Sequence, residues 1–249
     1  MSKATPAYLA IAAELRAAIL AGDLAAGAKL PSETQLMAQH GVSRTVAKWA
    51  ISVLKGEGLV DGRAGSGVYV RDARRLVRHA HGRDMRAGAG PTSPFARDTA
   101  RAGQQGTWEH DSRREEADAR IAGRLAVDPG APVMRTAYRF LADGEPIQLS
   151  TSYEPLHLTG GTAVEWPEDG AAVGVVARMD AIGVHVDEFV ERVSLRAALD
   201  TEVAALALPA RASVLTIERT YYAAGLPVET ADIVLPGGRY DLVYRIPVD

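Results

Sequence analysis

Cysteine is absent from the 249 residues. That excludes disulfides, thiol nucleophiles, Fe–S clusters and cysteine-ligated zinc, and it fits a reducing compartment. No uncharged apolar run reaches the ~18 residues that cross a bilayer. Glu14 and Arg16 interrupt the N-terminal apolar stretch, so neither secretion nor a membrane partner is expected, and the cytoplasm is the expected location. The six histidines show no HExxH spacing and the chain has no GxSxG. Gly65-Ser66-Gly67 is too short for a phosphate loop. His79-Ala80-His81 has ligand-like spacing but sits among arginines, and Glu109, Glu115 and Glu116 read as solvated helix charges. No catalytic residue, metal or cofactor is therefore expected. What is present is an ordinary globular composition, 47% hydrophobic and 24% charged.

The net charge of −3 hides an asymmetry. Residues 1–72 carry 8 Lys/Arg against 6 Asp/Glu, residues 73–120 carry 10 against 7, and residues 121–249 carry 10 against 18. Such a division marks one part that meets a polyanion and another that does not. In the first part, Tyr8, Ile11, Ala12, Leu15 and Ile19 recur at helical spacing, and Gly22 ends that helix. Pro31-Ser32-Glu33-Thr34-Gln35 reads as a second helix start, with Ser32 and Gln35 forming a capping box. Gly41 stops this helix, and Ser43 caps a third that runs to about Lys55. Two helices joined by so tight a turn form a helix-turn-helix. Leu59-Val60 and Val68-Tyr69-Val70 flank a glycine-rich tip at 61–67, which adds a β-hairpin, and the whole reads as a winged helix-turn-helix over residues 1–72.

Residues 73–91 are dense in arginine and lead into Gly88–Pro94, so they read as a linker. Beyond it, in the part 92–249, residues 106–249 carry a weak internal repeat at an offset of 81. Val133/Val214, Phe140/Tyr221, Gly144/Gly225, Pro146/Pro227 and Gln148/Glu229 align in two units of short helix plus hairpin. Residues 184–195 add a strand and 171–181 a helix, which makes the class α+β with an antiparallel sheet.

The N-terminal order of signals resembles the GntR family of bacterial transcription regulators. Tyr8-Leu9-Ala10-Ile11, Gly27-Ala28-Lys29-Leu30-Pro31-Ser32-Glu33, Gly41-Val42-Ser43-Arg44-Thr45 and Glu57-Gly58-Leu59-Val60 carry the likeness. It implies a double-stranded operator DNA partner, contacted by Ser32, Ser43, Arg44, Thr45, Lys48 and the wing residues Arg63, Gly65, Ser66 and Gly67. The physics agrees for Arg44, because a recognition helix enters the major groove N-terminus first and arginine is the usual bidentate partner of guanine. Val46 and Trp49 depart from the family pattern.

Pro91-Thr92-Ser93-Pro94-Phe95-Ala96, Gly144-Glu145-Pro146-Ile147, Ser150-Thr151-Ser152-Tyr153-Glu154-Pro155 and Pro227-Val228-Glu229 resemble the UTRA effector domain of HutC-type members. That likeness implies a chorismate-lyase-like fold and a small-molecule effector held by Arg139, Ser150, Ser152, Glu229 and Tyr240. It also implies a homodimer, and repression as the commoner behaviour. An orphan regulator without effector and a lyase-type enzyme remain as alternatives. Ala137 and the apolar Val173–Val175 lack the polar anchors that phosphosugar-binding members carry.

Overall fold

The computed structural model describes residues 5–63, 65–71, 75–80, 93–169, 172–209, 211–246 and 248. Ala64, His81, Arg83, Arg86 and the Gly88–Thr92 part of the expected linker lie outside the described residues. The chain divides into two compact units, Met1–Arg74 with Pro209–Ala212, and Arg75–Leu208 with Ser213–Asp249.

The first unit is a winged helix-turn-helix. Helices α1 (Ala7–Ala21), α2 (Glu33–His40) and α3 (Arg44–Gly56) precede strands β1 (Val60–Arg63) and β2 (Gly67–Val70). Ser32 caps α2 in a reciprocal capping box with Gln35, and the Ser43 hydroxyl accepts the Val46 amide at 3.4 Å to cap α3. Ile11, Leu15, Leu30, Leu36, Ala50 and Leu54 meet in one buried cluster, which is what the helical spacing demands. The wing is broader than its hairpin, because Leu30 N–H donates to Val68 C=O and Val70 N–H to Ala28 C=O, both at 2.8 Å. Residues 27–30 thus run along β2 rather than serving only as a turn.

In the second unit, β3 (Leu76–His79) comes first and pairs in parallel with the last strand, β10 (Tyr240–Val243). Residues 75–80 of the expected 73–91 linker include this strand: Leu76 and Arg78 are buried, because β10 offers a partner from the far end of the chain. Helix α4 (Pro94–Arg101) leads to β4 (Gly106–Glu116), α5 (Ala119–Leu125), β5 (Pro132–Ala142), β6 (Glu145–Pro155) and the single turn α6 (Leu156–Thr159). Then follow α7 (Val175–Ala181), β7 (Glu188–Ala197), α8 (Asp200–Ala205), β8 (Ser213–Ala223) and β9 (Leu226–Pro236). Glu109, Glu115 and Glu116 therefore lie on a strand, not on a helix; β4 is an edge strand with polar residues on both faces, so no apolar alternation marks it.

Six strands form one antiparallel sheet in the order β4-β5-β6-β9-β8-β7. The offset of 81 governs it throughout. β5 and β8, β6 and β9, and both bulges, at Phe140/Leu141 and Tyr221/Tyr222, coincide under that shift. Asp143-Gly144 and Ala224-Gly225 all have positive φ, as a two-residue turn twisted to suit a hairpin requires. Thr151 pairs directly with Asp232, its own repeat equivalent, so the two halves meet about a local twofold at the β6–β9 seam.

Candidate functional site

The first candidate surface lies on α3 and the wing. Arg44 is the first residue of α3 and its side chain is 80% exposed. Its Nε–H donates to Glu33 Oε2 at 2.7 Å, which holds the guanidinium at the helix start. That hydrogen bond raises the Arg44 pKa further, so the group stays charged. Ser43, Thr45 and Lys48 are exposed beside it, and Lys48 stands one turn along. Ser32 is exposed but already serves as the α2 cap.

At the wing, the Arg63 guanidinium stacks 4.3 Å over the Tyr69 ring, and the Tyr69 and Ser66 hydroxyls share a 2.6 Å hydrogen bond. Gly67 has φ +122°, and a Cβ there would come within 2.7 Å of Lys29 Cε. Gly65 and Gly67 are exposed. Lys29 and Tyr69, which support this wing, were not singled out by the sequence. The exposed Trp49 indole packs edge-on against Tyr8 at 5.7 Å.

The second candidate is a cavity of about 130 Å³ on one face of the six-stranded sheet. Strand alternation selects its wall. Tyr138 and Phe140 from β5, Gln148, Ser150, Ser152 and Glu154 from β6, and Arg219 and Tyr221 from β8 all line it, as does Glu229 from β9. Trp108 on β4 and Arg178 on α7 complete the enclosure, and Arg78 from β3 also reaches it. The structure thus brings together Ser150, Ser152 and Glu229 of the expected effector residues. Arg139 is not among the lining residues. Its odd position puts it on the opposite face from Tyr138 and Phe140, where it forms an exposed bidentate pair with Glu109 at 2.8 and 3.0 Å. Tyr240 stands behind the wall, its hydroxyl 3.4 Å from Gln148 Oε1.

The cavity floor holds charges that sequence patterning did not flag. Arg178 and Glu154 are both buried, and Arg178 Nη2 donates to Glu154 Oε2 at 2.8 Å while Nη1 meets Oε1. The same guanidinium also donates to the Val164 carbonyl. Burial lifts the Glu154 carboxyl above the ordinary carboxylate range, and Arg178 opposes that shift. Arg78 makes an equally buried pair with Glu191. Glu229 is fully buried and neither of its oxygens accepts a hydrogen bond. Burial pushes its carboxyl up to about 7, against the pull of Arg219, whose Nη2 lies 3.6 Å away.

A pKa raised on folding favours the fold below the unfolded value and loses that benefit as pH rises through the folded one. Glu229→Gln removes this titration. From about pH 5 to about pH 8, the variant is expected to gain about 2 kcal/mol relative to the parent, read by urea denaturation. A difference independent of pH would contradict the assignment.

Among the described residues, no cluster of His, Asp and Glu fits a metal ion, and no helix is long and apolar enough to cross a membrane. A helix-turn-helix with an exposed arginine at its recognition-helix start, in a chain that also carries a pocketed antiparallel unit, defines a DNA-binding transcription regulator with a separate effector domain. Residues 7–70 match the family model of bacterial regulatory proteins of the gntR family, and residues 103–241 match the UTRA domain. The chain belongs to this family, in its UTRA-bearing, HutC-type branch.

A GntR-family transcriptional regulator of known crystal structure is 45% identical, with 98% of this chain and 99% of that chain covered and a TM-score of 0.65. The HTH-type transcriptional regulator RB1450 of Rhizobium meliloti is 29% identical over 171 residues, 67% of this chain and 65% of its own length. The chain thus spans just under two thirds of that relative. The repressor NagR of Bacillus subtilis is 26% identical over 242 residues, 96% of this chain and 94% of its own length. These relatives are transcription regulators, not enzymes.

Proposed function

We propose that this chain is a cytoplasmic transcriptional repressor that binds a palindromic operator as a homodimer and is controlled by a small molecule in the UTRA cavity. One small winged domain reads only a half-site, and a twofold dimer matches an inverted repeat. The Arg44 guanidinium reads a base edge, Ser43, Thr45 and Lys48 hold the backbone, and the wing from Arg63 to Gly67 lies along the duplex. Ser32 supports the reading head through its cap rather than through DNA.

The observation that carries effector control is Arg78. This residue lines the cavity, yet it stands only four positions after Arg74, where the N-terminal stretch of the first unit ends. A ligand that alters the Arg78–Glu191 pair therefore acts on the strand next in the chain to the DNA-binding domain. Such control requires a ligand with different affinities for two arrangements of the dimer. Its test is operator affinity of the full chain with and without metabolites, alongside the mass of the free protein in solution. Release of a duplex carrying an inverted repeat by an unaltered metabolite, from a dimer, is expected. Operator affinity that no metabolite changes would favour an orphan regulator.

Lys48→Ala is expected to weaken binding about equally on all duplexes. It should also lower the slope of log affinity against log salt by about one, as the loss of a single phosphate contact does. A sequence-dependent loss would mean that Lys48 reads a base instead.

A further inference from the structure

The charges around the cavity restrict what enters it. Three guanidiniums line it, and each faces its own carboxylate: Arg178 faces Glu154, Arg78 faces Glu191, and Arg219 faces Glu229. Arg219 also stacks 4.5 Å over the Tyr221 ring. A strongly anionic ligand such as a phosphate ester would have to break one of these pairs. A fourth carboxylate, Glu168, lines the cavity and accepts the Trp108 indole N–H at 2.8 Å. Glu191 stands outside the lining, so three lining carboxylates match three lining guanidiniums in number.

Glu229 supplies the unmet demand. It is fully buried, lines the cavity, and accepts no hydrogen bond on either oxygen. A buried acceptor left in that state is costly, so a ligand that brings N–H donors gains by meeting it. An aromatic cluster lines the same cavity: Phe140 stacks on Tyr138 at 5.4 Å and lies 6.3 Å from Trp108. Aromatic faces beside carboxylates favour a cation. The volume sets the size, since an apolar cavity of about 150 Å³ holds one benzene ring and this one is about 130 Å³.

We propose that the ligand is a compact organic cation about the size of a single ring, whose N–H groups are held by Glu229 against the aromatic cluster. This rests on the cavity being the effector site, and it goes further by fixing the ligand's charge. The groups facing Glu229 are Arg219 on β8, Glu154 on β6, Arg124 on α5 and Arg178 on α7. Glu229 itself and the buried Glu154 are the carboxyls whose protonation weakens cation binding as pH falls.

Isothermal titration of the full chain with benzylammonium, benzyl alcohol, benzoate and inorganic phosphate tests the proposal. The cation is expected to bind ~10-fold or more tightly than the other three, the scale of a charge-assisted hydrogen bond in a desolvated site. Glu229→Gln should erase that preference. In the unaltered protein, cation affinity should fall between about pH 8 and about pH 6, which decides the matter even where the variant folds poorly. If benzoate or phosphate binds best, or if the cation preference survives both Glu229→Gln and low pH, the proposal is overturned while the effector cavity stands. If none of the four binds, the proposal is overturned as well, and operator release by metabolites still decides whether the cavity is an effector site.

Discussion

Arg44→Ala is expected to weaken binding to a specific operator ~10–100-fold, the scale of one lost bidentate base contact, with a much smaller loss on unrelated duplex. Arg44 opens α3, where a recognition helix first meets base edges. Its side chain is exposed yet oriented, because Glu33 accepts from Nε at 2.7 Å. That contact leaves the two terminal amino groups of the fork to span the O6 and N7 atoms of a guanine. Fluorescence anisotropy on matched and scrambled duplexes reads the difference directly. An equal loss on both would reduce Arg44 to a phosphate contact, and the Val46 and Trp49 face of α3 would then be the place to seek base reading.

Arg178→Met is expected to destabilise the effector unit by about 3–5 kcal/mol, because it strands Glu154 as a buried charge without its partner. Adding Glu154→Leu to that variant should recover a large part of the loss, since removing both members of a buried pair costs far less than breaking it. Urea denaturation of the parent, both single variants and the double variant closes the cycle. A neutral Arg178→Met would show that Glu154 is already protonated in the folded chain. The pair also explains why this cavity carries charge without exposing any: its ions are matched across β6 and α7 before a ligand arrives.

The first unit was almost wholly legible because its signals are local. Caps at Ser32 and Ser43, the stop at Gly41 and the helical spacing of Ile11 and Leu15 depend on neighbours a few residues away. The repeat was legible too, and it contained more than was taken from it. Shifting the expected strand at 184–195 back by 81 gives 103–114, which overlaps most of β4, a strand its own charged residues concealed. Parity decides the Arg139 error: the alignment of Phe140 with Tyr221 names the cavity face, and Arg139, between two residues of that face, points away from it.

Other features had no local signal. Leu76 and Arg78 look like linker until Tyr240–Val243 pairs with them, and nothing near residue 76 announces a partner so distant. Arg178 and Arg219 drew no notice in the sequence, and Glu154 none as a buried ion, because burial of an ion depends on who packs over it. Only Gln148/Glu229 offered a hint. The repeat places an amide and an acid at equivalent positions, and both line the cavity.

The central claim is that this chain reads a specific inverted repeat through Arg44. Selection of random duplex DNA by the purified full chain, at near-physiological salt, tests it most directly. Enrichment of a short inverted repeat by the parent, lost with Arg44→Ala, is the predicted result. Retention of duplexes without any shared sequence would contradict it, and the cavity would then stand as the chain's specific site without a DNA target.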